Sequence, residues 1–168
     1  MMMLTLGVAL WSIAHLFKRL APTARDRMGD LGKLVVTVAL VGSLVMMVAG
    51  YQTASGPVWW VRQPLSVSIS NVLMLLAFYM MVASSLKVRI TSMVRHPQLT
   101  AIKAWSVSHL LVNGDLPSLV LFGGLLVWAV VSVILINRQD GKNAMATSDI
   151  GWLKEALAIG GTVGLYGA

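Results

Sequence analysis

The chain has no cysteine, only three histidines and only six acidic residues among 168. The missing cysteine excludes disulfides, thiolate metal sites and cysteine nucleophiles. The shortage of charge excludes more. A water-soluble domain carries roughly 25% charged residues, whereas this chain carries 11%, with 57% apolar residues and a mean hydropathy of +0.79. So little polar surface cannot cover a water-soluble globule, so the expected solvent is lipid. Two catalytic signatures are also missing: there is no Gly-x-x-x-x-Gly-Lys phosphate loop and no His-Glu-x-x-His zinc helix. The apolar runs hold no carboxylate pair for acid–base work or proton relay, and no internal repeat or low-complexity tract is evident.

What the chain does have is long apolar runs separated by short basic stretches. Met1–Phe17, Leu34–Tyr51, Leu65–Leu86 and Leu116–Ile136 each fit the span of about 17–25 residues that a bilayer requires. A fifth stretch, Pro97–Val112, is shorter and carries Lys103 and His109. It lies between the turn signals His96-Pro97 and Asn113-Gly114-Asp115. The spacing predicts a short helix paired with Leu116–Ile136 in a tight antiparallel hairpin. Pro97 suits the first turn of one helix, and Asp115 is placed to cap the next, with Pro117 behind it. The reading is therefore an all-α polytopic bundle of about five spans forming one domain over 1–168. The 137–168 tail is cytoplasmic or peripheral, and Trp152–Ala168 is a partial sixth span, an interfacial helix or a frayed end.

Charge sets an orientation. The first run is followed by Lys18 and Arg19 instead of being preceded by basic residues, which is the pattern of a retained anchor and not of a signal peptide. With the amino terminus outside, twelve of the thirteen basic residues fall inside, and only Arg62 falls outside. The positive-inside rule selects that arrangement for a multi-pass membrane protein. The +7 net charge does not indicate nucleic acid, because the basic residues form no patch interleaved with aromatics. Trp59 and Trp60, between Pro57 and Pro64, read as an interfacial segment on the outer face.

Polar groups within a bilayer are costly and usually functional. His15 lies in the first run, His109 in the fifth stretch, and His96 at the inner mouth of that stretch. Each histidine is either a hydrogen-bonded contact between helices or a ligand, since imidazoles on facing helices can hold a haem iron from both sides. Trp105 lies one turn before His109 and either packs or walls a flat cofactor. Thr100, Ala104 and Ser108 recur every four residues as a small-residue stripe, Lys103 reaches toward the inner surface, and Arg25, Asp26 and Arg27 form a solvated loop cluster. On straight upright helices, His109 lies roughly 20 Å above His96, so His15 is expected to face His96.

The series Arg95-His96-Pro97-Gln98-Leu99, Trp105, His109-Leu110-Leu111, Asn113-Gly114-Asp115-Leu116 and Leu121-Phe122-Gly123 resembles the NnrU family. Ala14-His15, Arg25-Asp26-Arg27 and Gly50-Tyr51 resemble its first half, so the likeness covers roughly residues 8–138. The resemblance implies a link to nitrogen-oxide metabolism in denitrifying bacteria. Through the related domain of zeta-carotene isomerase it also implies haem b, with His15 and His109 matching the axial histidines and Trp105 lining the pocket. His96, with Arg95, is the alternative. Ser106 stands where the isomerase has a cysteine able to ligate iron, which removes that option here. The Arg-His-Pro stretch also resembles isoprenylcysteine-type membrane methyltransferases, but the tyrosine, glycine and later glutamate of that pattern are absent. The functions in view are haem-dependent or isomerase-like chemistry on an apolar molecule or a nitrogen oxide, a non-catalytic subunit of a membrane complex or homo-oligomer, and methyl transfer.

Overall fold

Large aliphatic side chains cover the outside of this molecule, and its inside combines a few large apolar side chains, Leu4, Met47, Phe122 and Trp128 among them, with many small residues. In the computed structural model, which describes residues 1–141 and 151–167, Leu34, Val38, Val41 and Val45 stand exposed along one face of a single helix. The buried set includes Ala77, Ala83, Ala101 and Ala129 together with Ser43, Ser70, Ser106, Ser108, Ser118 and Ser132. In water this would leave an apolar surface far larger than a monomer tolerates. In lipid it is the expected arrangement, because tails solvate the aliphatics and small side chains let backbones approach.

Helix α1 (Met2–Leu20) is joined by the short α2 (Pro22–Arg27) to α3 (Gly29–Thr53). After a three-residue strand β1 (Val58–Trp60) come α4 (Pro64–Leu86), a single turn α5 (Ile90–Met93) and α6 (Pro97–Val112). Strand β2 (Gly114–Asp115) leads into α7 (Leu116–Asp140), which contains a π-turn over Leu119–Gly123, and α8 (Trp152–Gly167) follows. Among the described residues four helices, α1, α3, α4 and α7, are long and apolar enough to cross a membrane. The 16 residues of α6 rise about 24 Å. Their ends nonetheless bring the chain back across the bundle, because the far end of α7 meets the start of α6 while β2 pairs with β1 at the opposite end.

The helix ends define two poles. At the basic pole, Arg19 makes a two-pronged ion pair with Asp140 at 2.7 and 2.9 Å, and Gln139 donates to the Arg19 carbonyl at 2.9 Å. His96 Nε2 donates to Asn137 Oδ1 at 2.9 Å, and Arg95 donates to the Gly141 carbonyl. At the ribbon pole, β1 and β2 pair antiparallel, Val58 opposite Asp115 and Trp60 opposite Gly114, and Trp60 Nε1 donates to the Leu110 carbonyl at 2.9 Å. The tryptophan pair expected at an interface is thus half of a small ribbon that clips the α6–α7 turn. A Cβ on Gly114 would lie 2.4 Å from the Trp60 carbonyl oxygen, so only glycine allows that approach.

The predicted cap is present. Asp115 accepts from the Ser118 amide at 2.9 Å and from its hydroxyl at 2.8 Å, and Ser118 in turn is 2.9 Å from the Tyr51 hydroxyl. Asp115→Ala is expected to cost about 1 kcal/mol, read as a lower midpoint of equilibrium unfolding in detergent, with most of the loss restored by Asp115→Asn.

The expected small-residue stripe is half right. Ser108 is buried and exchanges hydrogen bonds with Ser70 of α4, hydroxyl to hydroxyl at 2.7 Å and each hydroxyl to the other's carbonyl. Thr100 and Ala104 are only partly buried, and Ala101 takes the inner position. The tail forms α8, which lies lengthwise along α4. Ala158 packs with Ala83 and Val88, Tyr166 reaches Phe78, and Glu155 accepts the Arg89 amide at 2.7 Å. Lys142, expected among the tail's basic residues, lies outside the described residues.

Candidate functional site

Between α1, α3, α4, α6 and α7 is a cavity of about 580 Å³, within the range of about 300–1,000 Å³ typical of ligand sites. Trp11, Trp105 and Trp128 wall it with Met47, Tyr51 and Phe78, and Gln52 is its one uncharged polar amide. The indole nitrogens of Trp11 and Trp128 are buried with no hydrogen-bond partner, as is the hydroxyl of Ser106, which is fully buried. Unpaired buried donors cost free energy, and an acceptor brought in by a ligand would relieve it.

The histidines stand beside this cavity and do not line it. His15 packs against Trp11 and Trp128, with ring centres 4.2 and 4.7 Å apart. Its Nδ1–H donates to the Trp11 carbonyl at 3.1 Å, the i−4 position of its own helix. That bond fixes the tautomer and leaves the Nε2 lone pair free, as a metal-ligating imidazole requires. His109 lies flat on Phe122, with ring centres 4.3 Å apart and planes 3° apart, and both rings meet Trp105 at 5.0 Å. The π-turn of α7 contains Phe122, and such turns widen a helix and re-aim its side chains, often at functional sites.

Neighbours on α7 give the heights of the three histidines. His109 lies at Phe122, His15 at Trp128 and His96 at Asn137. The six residues from Phe122 to Trp128 span about 9 Å and the nine from Trp128 to Asn137 about 13 Å. The straight-helix expectation that His15 faces His96 is therefore overturned. α1 continues to Leu20, which lifts His15 away from the basic pole, and His96 is tied to Asn137. Arg95 and His96 form part of the latch between α6 and α7, and Asp140 of the same pole is engaged by Arg19. The residues of the methyl-transfer alternative thus have structural partners.

One signal in the sequence was overlooked. Trp11-Ser12-Ile13-Ala14-His15-Leu16 and Trp105-Ser106-Val107-Ser108-His109-Leu110 agree at four of six positions. α1 and α6 run in opposite directions, so the two copies are inverted. Both tryptophans line the cavity, and the histidines, one turn further along each helix, lie toward opposite poles.

For a haem, the apolar aromatic wall suits a flat ring system, whereas no histidine is among the residues lining the cavity, and His15 lies behind Trp11 and Trp128. The cavity is apolar and aromatic-walled, and His15 has a locked tautomer with a free Nε2. His109 meets α7 at Phe122 and His15 meets it at Trp128, about 9 Å further along the helix.

These features define a class: an all-α membrane protein with four helices long and apolar enough to cross a bilayer and an apolar cavity between them. The family model for the NnrU protein matches residues 3–168, so the chain belongs to the NnrU family, and the match extends past the 8–138 expected from the motifs. No curated protein and no solved structure matches the chain.

Proposed function

We propose that this protein is a component of the bacterial inner membrane, basic pole toward the cytoplasm, whose central cavity holds a ring-bearing apolar molecule taken from the bilayer. Haem b is the proposed molecule, with a role in nitrogen-oxide metabolism. The cavity supports the reading: about 580 Å³ walled by three tryptophans, with Leu44, Val48 and Phe78 on the helices that flank its opening, is space that an apolar molecule from the bilayer can enter. The sidedness rests on the crowding of lysine and arginine at one pole.

Within this reading His15, seated behind the lining rings of Trp11 and Trp128, is the candidate iron ligand through Nε2, the Trp11 carbonyl holds its Nδ1–H, and Trp11, Trp105 and Trp128 would enclose an apolar ring system. A bound haem would supply a redox-active iron whose potential is set by its axial ligand and low-polarity surroundings. Ser106 in place of a cysteine means that ligand exchange at such an iron has no thiolate partner in this chain. His109, stacked on Phe122, orients the aromatic wall and is not assigned to the iron.

The test is the visible spectrum of protein purified in mild detergent after haem-replete expression. A Soret band is expected, lost in His15→Ala and retained, with a shifted maximum, in His109→Ala. Solvent extraction and mass spectrometry of the same sample give the second measurement. No Soret band would overturn the haem assignment. No stoichiometric apolar molecule of any kind would overturn the ligand-binding reading as well, and would favour an accessory subunit.

A further inference from the structure

A second cavity lies at the basic pole, where α2 bridges α1 and α3. It measures about 320 Å³, and its rim carries Lys18, Arg25 and Lys33 with no carboxylate. Away from the rim, Val36 and Leu40 form its wall one and two turns along α3, with Thr37 between them and His15 at the deep end. The seven residues from Lys33 to Leu40 rise about 10 Å along α3. The cavity thus runs from a cationic mouth into the apolar part of the bundle.

The mouth is held in place. Arg25 donates to the Gly29 carbonyl at 3.0 Å, and its guanidinium lies over Gly32, where a Cβ would come within 2.8 Å of Nη1. Neither Lys18 nor Arg25 makes an ion pair among the described residues. Lys33 meets Asp30 at 2.8 Å, but both side chains are largely exposed, so the pair is weak. An adjoining polar cavity shares the three cations and adds Asp26 and Asp30, so the carboxylates sit on the water side and the cations between them and the apolar wall.

We propose that this cavity binds the phosphate of an anionic membrane phospholipid, with Lys18, Arg25 and Lys33 around the phosphate and one acyl chain along Val36 and Leu40. A basic pocket between helices at the membrane surface is the form that headgroup recognition takes. An apolar wall directly behind the cations suits a phosphate that carries a chain better than a free ion. The site meets His15, the proposed iron ligand, at its deep end, but none of Lys18, Arg25, Lys33, Val36 or Leu40 lines the central cavity, so loss of the lipid and loss of the haem are read separately.

The experiment is native mass spectrometry of the full chain released from nanodiscs made of equal parts phosphatidylglycerol and phosphatidylcholine. One phosphatidylglycerol is expected to stay bound through delipidation. Its occupancy is expected to fall about fivefold in K18Q and again in R25Q, the loss for one cation near an anionic surface. R27Q removes the same charge from α2 but does not line the cavity, and is expected to leave occupancy unchanged. V36W, which blocks the chain-side wall and keeps every charge, is expected to expel the lipid and keeps the test decisive if a rim variant folds poorly. Equal retention of phosphatidylcholine, an equal loss in R27Q, or full displacement by inorganic phosphate would each overturn the proposal, the last by showing a free-anion site.

Discussion

Gly50→Val is expected to lower the stability of the bundle by about 3 kcal/mol or more, the upper range for overpacking a tight contact. α1 and α3 cross where Gly50 meets the backbone of Leu4: a Cβ there would lie 2.6 Å from the Leu4 amide nitrogen and 2.8 Å from its Cα. Gly7 makes the reciprocal approach to the Met47 amide at 2.9 Å. Backbone atoms cannot swing aside as a side-chain tip can, so the two helices must separate. In lipid no hydrophobic force draws them back, because a displaced helix is solvated by tails as well as by its neighbour. The check is equilibrium unfolding in mixed detergent micelles. Gly42→Ala is the control, because nothing lies within 4 Å of a Cβ there. It is expected to be neutral or slightly stabilising, by up to about 1 kcal/mol, since glycine is a poor helix former. Equal effects of the two substitutions would show that the α1–α3 crossing is not as tight as described.

Ala101→Phe is expected to exclude the occupant of the central cavity. Ala101 of α6 contributes to the cavity wall and is otherwise buried, 1% exposed, so a larger side chain has the cavity as its free direction. Ligand occupancy is expected to fall by a factor of about 10–100, the equivalent of 1–3 kcal/mol of steric conflict. The outcome is two-sided and so informative. If a ligand normally fills the space, the variant loses the thermal stabilisation that binding confers. If the space is an intrinsic void, the phenyl ring fills it and the melting temperature rises, since cavities are destabilising in proportion to their volume. A rise in melting temperature with no loss of a co-purifying molecule would remove the basis of the proposed function.

Much of the architecture was legible without coordinates, because membrane helices are written in composition. The four long runs, the capping role of Asp115, the first-turn prolines Pro97 and Pro117 and the basic pole all follow from local chemistry, and the structure has each of them. The Ser108–Ser70 contact was half legible: spacing marked Ser108 as an interface residue but could not name its partner on α4. The relation of the histidines was not legible. Counting rise per residue along separate, upright helices gave the wrong neighbour for His15, because the length of α1 beyond Phe17 and the height at which it docks on α7 are set by packing.

The sequence alone determined that this chain is apolar enough for lipid, where its four long apolar helices lie, which pole is basic and which family it resembles. It could do so because hydropathy and charge act residue by residue, and solvent transfer does not depend on what a helix touches. Only the tertiary structure decided that two inverted Trp-Ser-x-x-His elements flank one cavity, that their imidazoles splay apart instead of converging, and that a basic mouth opens between α1 and α3. Those features depend on relative height and rotation. Both are fixed by close backbone approaches such as Gly50 on Leu4 and by the π-turn around Phe122, neither of which leaves a local signature in a run of apolar residues.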